Sequence, residues 1–526
     1  VRKTLPALAF FLLFPLICVA QSLPAFPGAQ GGGALSVGGS GRNGTGTARV
    51  FEVTNLNDSG TGSLRVCVEA SGPRTCVFRV NGLITSKSRL ECANPYLTIA
   101  GQTAPGQGIT LGGPGQQDEQ LDIQCHDVIV RFLSYDGIGP TGPDVGTVGF
   151  EEANGAGDVY NVMFDHLSAK RTGNKILIYA NDSSGNQHVK NSSWQWMLIY
   201  ESNTAHPVGQ LYSSVAFPAE NFNNDFHHSA YINEGHRLPL NTAQENWRDV
   251  SIYTYNWDYF ATNSDGTHGD MIDNYWDQTG NLNSGSSNPH PYNGTLGNGS
   301  GSGSCLSNCD VGGTPSIYMS GNICTQFGTD YECSAEEAGD DPEGFPETAS
   351  PIRASWQRHT PLPAEPVPIT PTPAAQLKTF LFGTLSQLGP IGAWARLDSH
   401  GNPVDNRTTD DTRVIRQVLN GGTGGQFGGP GYNGPSTSPP IATGSPCTSS
   451  LHDGICDDWK TDQGLSLTDT TLYRQTAPNG YTYLENFLNS SFGMNVASGG
   501  GTGTNTGQPP TSGAPDAPTN LVAVPH

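Results

Sequence analysis

Residues 221–240 read N-F-N-N-D-F-H-H-S-A-Y-I-N-E-G-H-R-L-P-L and bring His227, His228, His236 and Arg237 close together in the chain. Imidazole exchanges protons near neutral pH, and a guanidinium offers a planar set of donors that grips carboxylates. The run H-R-L-P-L sets a cation and a rigid proline at the exit of a strand, where a side chain is presented rather than stacked. Further cations, Lys170, Arg171, Lys175, Lys190 and His206, lie in the same central region, while acids crowd the turns and the tail, notably from Glu332 to Glu347. The formal net charge of −22 argues against a nucleic-acid partner. It leaves room for a focused cationic cleft that takes an anionic substrate.

A second chemistry is carried by Asp265 and Asp270 in D-G-T-H-G-D, the paired carboxylates a glycoside hydrolase would need. Other polar groups have structural readings. His227 and His228 alternate in facing, so one points inward as a hydrogen-bonded histidine. Asn256 and Asn274 read as turn residues stacked between coils. Trp194, Trp196, Trp247, Trp257 and Trp276 read as aromatic packing. The run D-G-I-C-D-D-W at 453–459 is a candidate Asp-rich calcium loop, although its acids are sparse for one.

These residues need a scaffold. Short runs of alternating apolar residues, separated by Gly, Asn and Asp turns, recur about every 20 or more residues, as in a parallel β-helix whose coils bury their inward side chains only by stacking. The 68 Gly and 38 Pro, with 14% charged residues, fit a turn-rich all-β chain.

Along residues 25 to 280 the resemblance becomes specific. V-F-E-V-T-N-L-N-D-S-G-T-G-S-L-R (50–65), A-S-G-P-R-T-C-V-F-R-V-N-G-L-I (70–84) and N-P-Y-L-T-I-A-G-Q-T-A-P-G-Q-G-I-T-L (94–111) are joined by D-V-I-V-R-F (127–132), F-D-H (164–166), F-H-H and H-R-L-P-L. Together they resemble the pectate lyase family of secreted bacterial polysaccharide lyases. The resemblance implies a right-handed parallel β-helix with a short N-terminal cap and a partly helical, loop-rich C-terminal tail. It implies β-elimination on pectate or pectin, α-1,4-linked galacturonan, with Arg237 as the base that removes the C5 proton. It also implies Ca2+ to offset the uronate charge, with Asp165 on a family ligand position. Two further acids of the family pattern are missing, since Gly173 and Asn174 stand in their places. Asp165, Asp144 and Asn174 remain as the metal set, with Glu151 nearby. The family's lysine falls near Val208 and its second arginine at Thr242. Lys175, with His236, is therefore the candidate cation acting beside Arg237, and Lys170, Arg171 and His206 are candidate substrate-binding groups. A non-catalytic carbohydrate-binding β-helix and a hydrolase on the same scaffold are the alternatives.

The chain divides into a signal peptide (1–20), the β-helix (21–345), a proline-rich linker (346–375), a tail packing on or beside the β-helix (376–495), a Gly/Thr linker (496–513) and the start of a fibronectin type III module (514–526). The tail carries expected helices at Gln376–Leu388, Asp410–Leu419 and Gly480–Leu488. The leader implies export, to the extracellular space or the periplasm, and no later stretch is apolar enough to span a membrane. Export suits five sequence-local cysteine pairs: Cys67 with Cys76, Cys92 with Cys125, Cys305 with Cys309, Cys324 with Cys333 and Cys447 with Cys456. The expected partner is pectic polysaccharide, bound by a monomer.

Overall fold

The structure, a computed structural model, describes residues 23–490 apart from 115–119, 139–147, 150–158, 172–188, 205–206, 213–221, 242–245, 258–261, 266, 280–290, 296–314, 338–346 and 350. The chain winds through three sheets in turn. Arg74–Phe78, Leu97–Ala100, Val128–Arg131, Val159–Asp165, Val189–Gln195, Phe222–His227 and Trp247–Val250 are successive strands of the first sheet. Two residues after most of them the next strand joins the second sheet, as in Ser134–Asp136, Ser168–Lys170, Leu198–Tyr200, Ala230–Ile232 and Tyr253–Tyr255. The third sheet appears in two sections, one including Leu121–Ile123 and the other Leu211–Tyr212 and Leu240–Asn241. Successive coils pair in parallel, and the fold is a right-handed parallel β-helix.

Three ladders of left-handed residues make the corners. Tyr96, Asp127, Asn161, Asn191, Asn223 and Asn246 mark the first sheet, with φ from 52° to 68°. Phe132, His166, Trp196, His228, Ser251 and Asp273 turn the chain from the first sheet to the second, and Arg171, Glu201, Asn233 and Asn256 turn it out of the second. Only Gly and Asn adopt this region cheaply, so the other types must be held there by neighbours. Asn256 donates to Asn233 Oδ1 at 3.0 Å, and Asn274 accepts from the Ile252 N–H, which matches their reading as stacked turn residues.

Inward side chains form one continuous core. Phe164 stacks on Trp194 with centroids 3.7 Å apart, and Trp247, Trp257 and Trp276 are buried in the same cluster. The short helix Leu64–Val68 puts Leu64 and Val68 over the open N-terminal end. Four of the expected cysteine pairs are closed: Cys67–Cys76, Cys92–Cys125, Cys324–Cys333 and Cys447–Cys456. Cys305 and Cys309 lie outside the described residues.

The outer faces of two sheets are covered by the chain's own ends. Gly31–Gly33 lie across the first sheet, the Gly32 and Gly33 amides donating to Asp225 and Ser193 at 2.8 Å. A Cβ at Gly32 or Gly33 would strike the backbone of Asn223 or Val162, so the G-G-G run is what lets this strip lie flat. The proline-rich stretch, read from sequence as a linker, runs along the same sheet. Leu362 bonds to Asp270, Glu365 pairs with Arg248, Val367 bridges Gly31 and Thr372 bonds to Ser251. Over the second sheet, helices Ala374–Phe382 and Thr409–Leu419 press Leu377, Leu381, Val414, Ile415 and Val418 onto Leu198, Tyr200, Ile232 and Tyr253. The helix ends differ from expectation by a few residues: Gly383 ends the first, and the Thr408 hydroxyl, accepting from the Asp411 amide, opens the second. No helix among the described residues is long and apolar enough to cross a membrane.

Candidate functional site

With two outer faces occupied, the turns that lead from the second sheet into the third are where chemistry would be presented. Residues 233–239 form one such turn, between Ala230–Ile232 and Leu240–Asn241, and it carries Glu234, His236 and Arg237. It stacks on the turn of the preceding coil. His236 bridges Val208, its amide donating to the Pro207 carbonyl at 3.1 Å, and the Gly209 and Gln210 amides donate to the His236 and Arg237 carbonyls at 3.0 and 2.7 Å. A Cβ at Gly209 would run into Leu238 and the Arg237 carbonyl, and one at Gly235 into Pro207, so both glycines are needed for this close stacking.

Arg237 itself is left-handed, at φ 60°, and precedes the cis Leu238–Pro239 bond. A bulky residue there is uncommon and is found at functional sites more often than elsewhere. Arg237 and His236 are each 3% exposed. Glu234 is also buried. Burial pushes its carboxyl up to about 8 against two hydrogen bonds from Ser202, and the Glu201 charge adds to the rise.

Asp165, Lys170 and Arg171 are elsewhere. Asp165 ends a strand of the first sheet, so it stands at a different corner of the coil from Arg237. Its carboxylate accepts from Arg131 at 2.6 Å and Gln195 at 2.7 Å, and His166 Nδ1 stands 2.8 Å away. Burial alone would raise this carboxyl, but His166 and Arg131 outweigh it and hold the group well below the usual carboxylate range. Phe26 lies against Arg131 and the residue is fully buried. A hard cation wants roughly 6 to 8 oxygen ligands, and this carboxylate is already committed to nitrogen donors. Asp165 therefore does not fit the calcium role. Among the described residues no cluster of three acids, histidines or cysteines could hold a metal. Asp144, Asn174, Lys175 and His206 lie outside the described residues.

Lys170 and Arg171 also differ from expectation. Arg171 forks onto Asp136 and bonds Asp410 at 2.5 Å, while Lys170 Nζ is 3.6 Å from Asp410. Both are buried and neutralised by carboxylates, one of them supplied by the tail. They anchor the tail and are not available to substrate. Sequence alone could not show this, because the partner acid lies some 240 residues away in the chain.

Two further readings meet the structure. Asp270 pairs with Arg358 and accepts from the Leu362 amide, so it fixes the strap over the first sheet and is not poised as a hydrolase carboxylate. His228 stacks on Trp196, lies tilted against Phe380 and bonds Thr372, and His227 meets His228 at 2.9 Å. Both are structural.

The strand pairing defines a right-handed parallel β-helix. No protein-family model matches the chain. It is similar to probable pectate lyase C of Aspergillus terreus, 29% identical over 500 residues, covering 92% of this chain and 97% of that protein. A second relative, probable pectate lyase C of Neosartorya fischeri, is 34% identical over 275 residues, or 50% of this chain and 57% of that one. Pectate lyase II from Xanthomonas campestris is a structural neighbour at 14% identity and a TM-score of 0.39, covering 69% of this chain and 98% of that one. The family resemblance read from the motifs is supported by these relatives, which are fungal where the motifs had suggested bacterial ones.

Proposed function

We propose that the chain is an exported polysaccharide lyase that cleaves pectate, α-1,4-linked galacturonan, by β-elimination, with Arg237 as base. The observation that carries this reading is the left-handed Arg237 on the turn entering the third sheet, in the H-R-L-P-L motif. In the step, Arg237 takes the proton on C5, the C5–H electron pair forms the C4–C5 double bond, and the C4–O pair departs with the glycosidic oxygen, which takes up a proton from solvent. The C5 proton is acidified by the adjacent carboxylate, so charge that builds there must be met by fixed cations. An arginine serves as base only where its charge is disfavoured by burial or by neighbouring cations. The burial of His236 and Arg237 in that turn supports this reading.

Calcium is what pectate lyases generally use for this neutralisation. Among the described residues no cluster of carboxylates fits it. Lys175 and His206 remain the proposed cations for the uronate, and Asp144 and Asn174 the proposed ligands should a metal bind.

The test is incubation with polygalacturonate and with methylated pectin, each with and without calcium, followed by ultraviolet absorbance. Rising absorbance from a conjugated unsaturated uronate marks elimination. New reducing ends without it mark hydrolysis, and neither signal leaves a carbohydrate-binding β-helix.

A further inference from the structure

Helix Thr409–Leu419 meets the corner ladder of the second sheet one rung at a time. Asp410 bonds Arg171, Arg413 forks onto Glu201 at 2.9 and 2.6 Å, and Gln417 exchanges hydrogen bonds with Asn233 at 3.2 and 3.3 Å. Arg171, Glu201 and Asn233 occupy the same register in three successive coils, all left-handed at φ 56°, 58° and 56°. The spacing explains the match. Residues three and four apart advance about 4.5 and 6 Å along a helix, and neighbouring coils are about 4.8 Å apart. A helix laid across the strands therefore presents one side chain per coil.

Glu201 and Arg171 have large side chains in a conformation that persists only where surroundings over-determine it, and the helix supplies those surroundings. From Glu201 and Asn233 the chain departs directly into the two stacked turns of the site. Phe427, just beyond the helix, adds a second hold. Its amide donates to the Ser202 carbonyl at 3.0 Å and its carbonyl accepts from the Thr204 amide at 3.1 Å. The Ser202 amide in turn donates to Glu234 at 3.2 Å.

We infer that helix Thr409–Leu419 is a positioning element for the site: Arg413 and Gln417 fix the points at which residues 201–210 and 233–238 leave the second sheet, and so fix where Arg237 stands. Arg413 and Gln417 act through the turns and are positioning residues. The consequence for turnover rests on the lyase reading above. The mechanical part does not.

The test uses the full chain with Arg413→Gln and, as a comparison of similar lost stability, Lys460→Met, whose contacts lie elsewhere in the tail. Arg413→Gln is expected to lower kcat about tenfold to a hundredfold with KM within about twofold, since small misplacements of a reacting group cost that much. Lys460→Met is expected to keep kcat. Exchanging the charges, Glu201→Arg with Arg413→Glu, is expected to restore most of the turnover. Amide hydrogen exchange is expected to speed up selectively across 201–210 and 233–238 in Arg413→Gln. Exchange there no faster than in Lys460→Met overturns the inference, even if the wild-type chain proves inert on pectate. Faster exchange with unchanged kcat in an active enzyme overturns the positioning of Arg237.

Discussion

The ammonium of Lys460 stands 2.8 Å from the Asp453 carboxylate and 3.7 Å from Asp457, with no exposure to solvent. This is the loop whose acids suggested calcium. A side chain of the following helix, Asp457–Asp462, occupies the place a metal would take, and Ser449 and Ser450 donate to the same two acids.

Lys460→Met should therefore leave a buried carboxylate without its counter-charge and cost about 3–5 kcal/mol of stability. Thermal unfolding checks it. Adding calcium or a chelator should not move the wild-type midpoint through this loop. A rise of several degrees with calcium would show that the loop takes a metal after all.

Asp165→Asn tests the calcium assignment from the other side. The change keeps the shape but strips the charge that faces Arg131 and His166, so it should lower the unfolding midpoint by several degrees, on the order of 3 kcal/mol for an uncompensated buried cation. The calcium dependence of activity should stay as in the wild type. A shifted calcium titration with unchanged stability would return Asp165 to the metal.

The β-helix was legible because its signal is repeated: each coil carries the same short apolar run and the same polar corner, and Asn161, Asn191 and Asn223 hold equivalent left-handed places. The candidate site rests on one local motif, at His236 and Arg237, and its function is untested by the fold. Lys170, Arg171 and Asp165 were read as site groups because a sequence shows their charge but not their partners. Those partners, Asp410 and Arg131, come from another segment or another coil. The proline-rich stretch misled for a related reason. Its composition fits an extended linker, and an extended strap over a sheet has the same composition.

Stability should fall at both ends of the pH range. Burial lowers the His227 imidazole from 6.5 to about 4, so the unfolded chain binds the proton first. Its contribution is complete above pH 6.5 and is lost as pH falls to 4, up to about 3 kcal/mol. Glu234 has the opposite sign. Its carboxyl is raised from 4.5 to about 8, so its contribution is complete below pH 4.5 and is lost as pH rises to 8, up to about 5 kcal/mol. Unfolding midpoints from pH 4 to 9 check both. Glu234→Gln, which can still accept from the Ser202 amide, should flatten the alkaline side alone. An unchanged alkaline fall in that variant would mean another group, such as Glu365, sets it.

Arg237→Lys is the sharpest test of the proposed chemistry. Lysine keeps the charge but loses the planar donor set. Turnover on polygalacturonate should drop by about 10²-fold or more, the range general-base catalysis contributes, while polymer binding measured by affinity electrophoresis should stay within about twofold. Chelation separates the two ways of neutralising the uronate. If Lys175 does it, activity survives chelation and Lys175→Ala weakens binding and turnover together, because ground state and transition state both carry the carboxylate. If chelation abolishes activity and Lys175→Ala changes nothing, the charge is met by a metal on groups other than Asp165. Full activity in Arg237→Lys would remove Arg237 as the base while leaving the fold untouched.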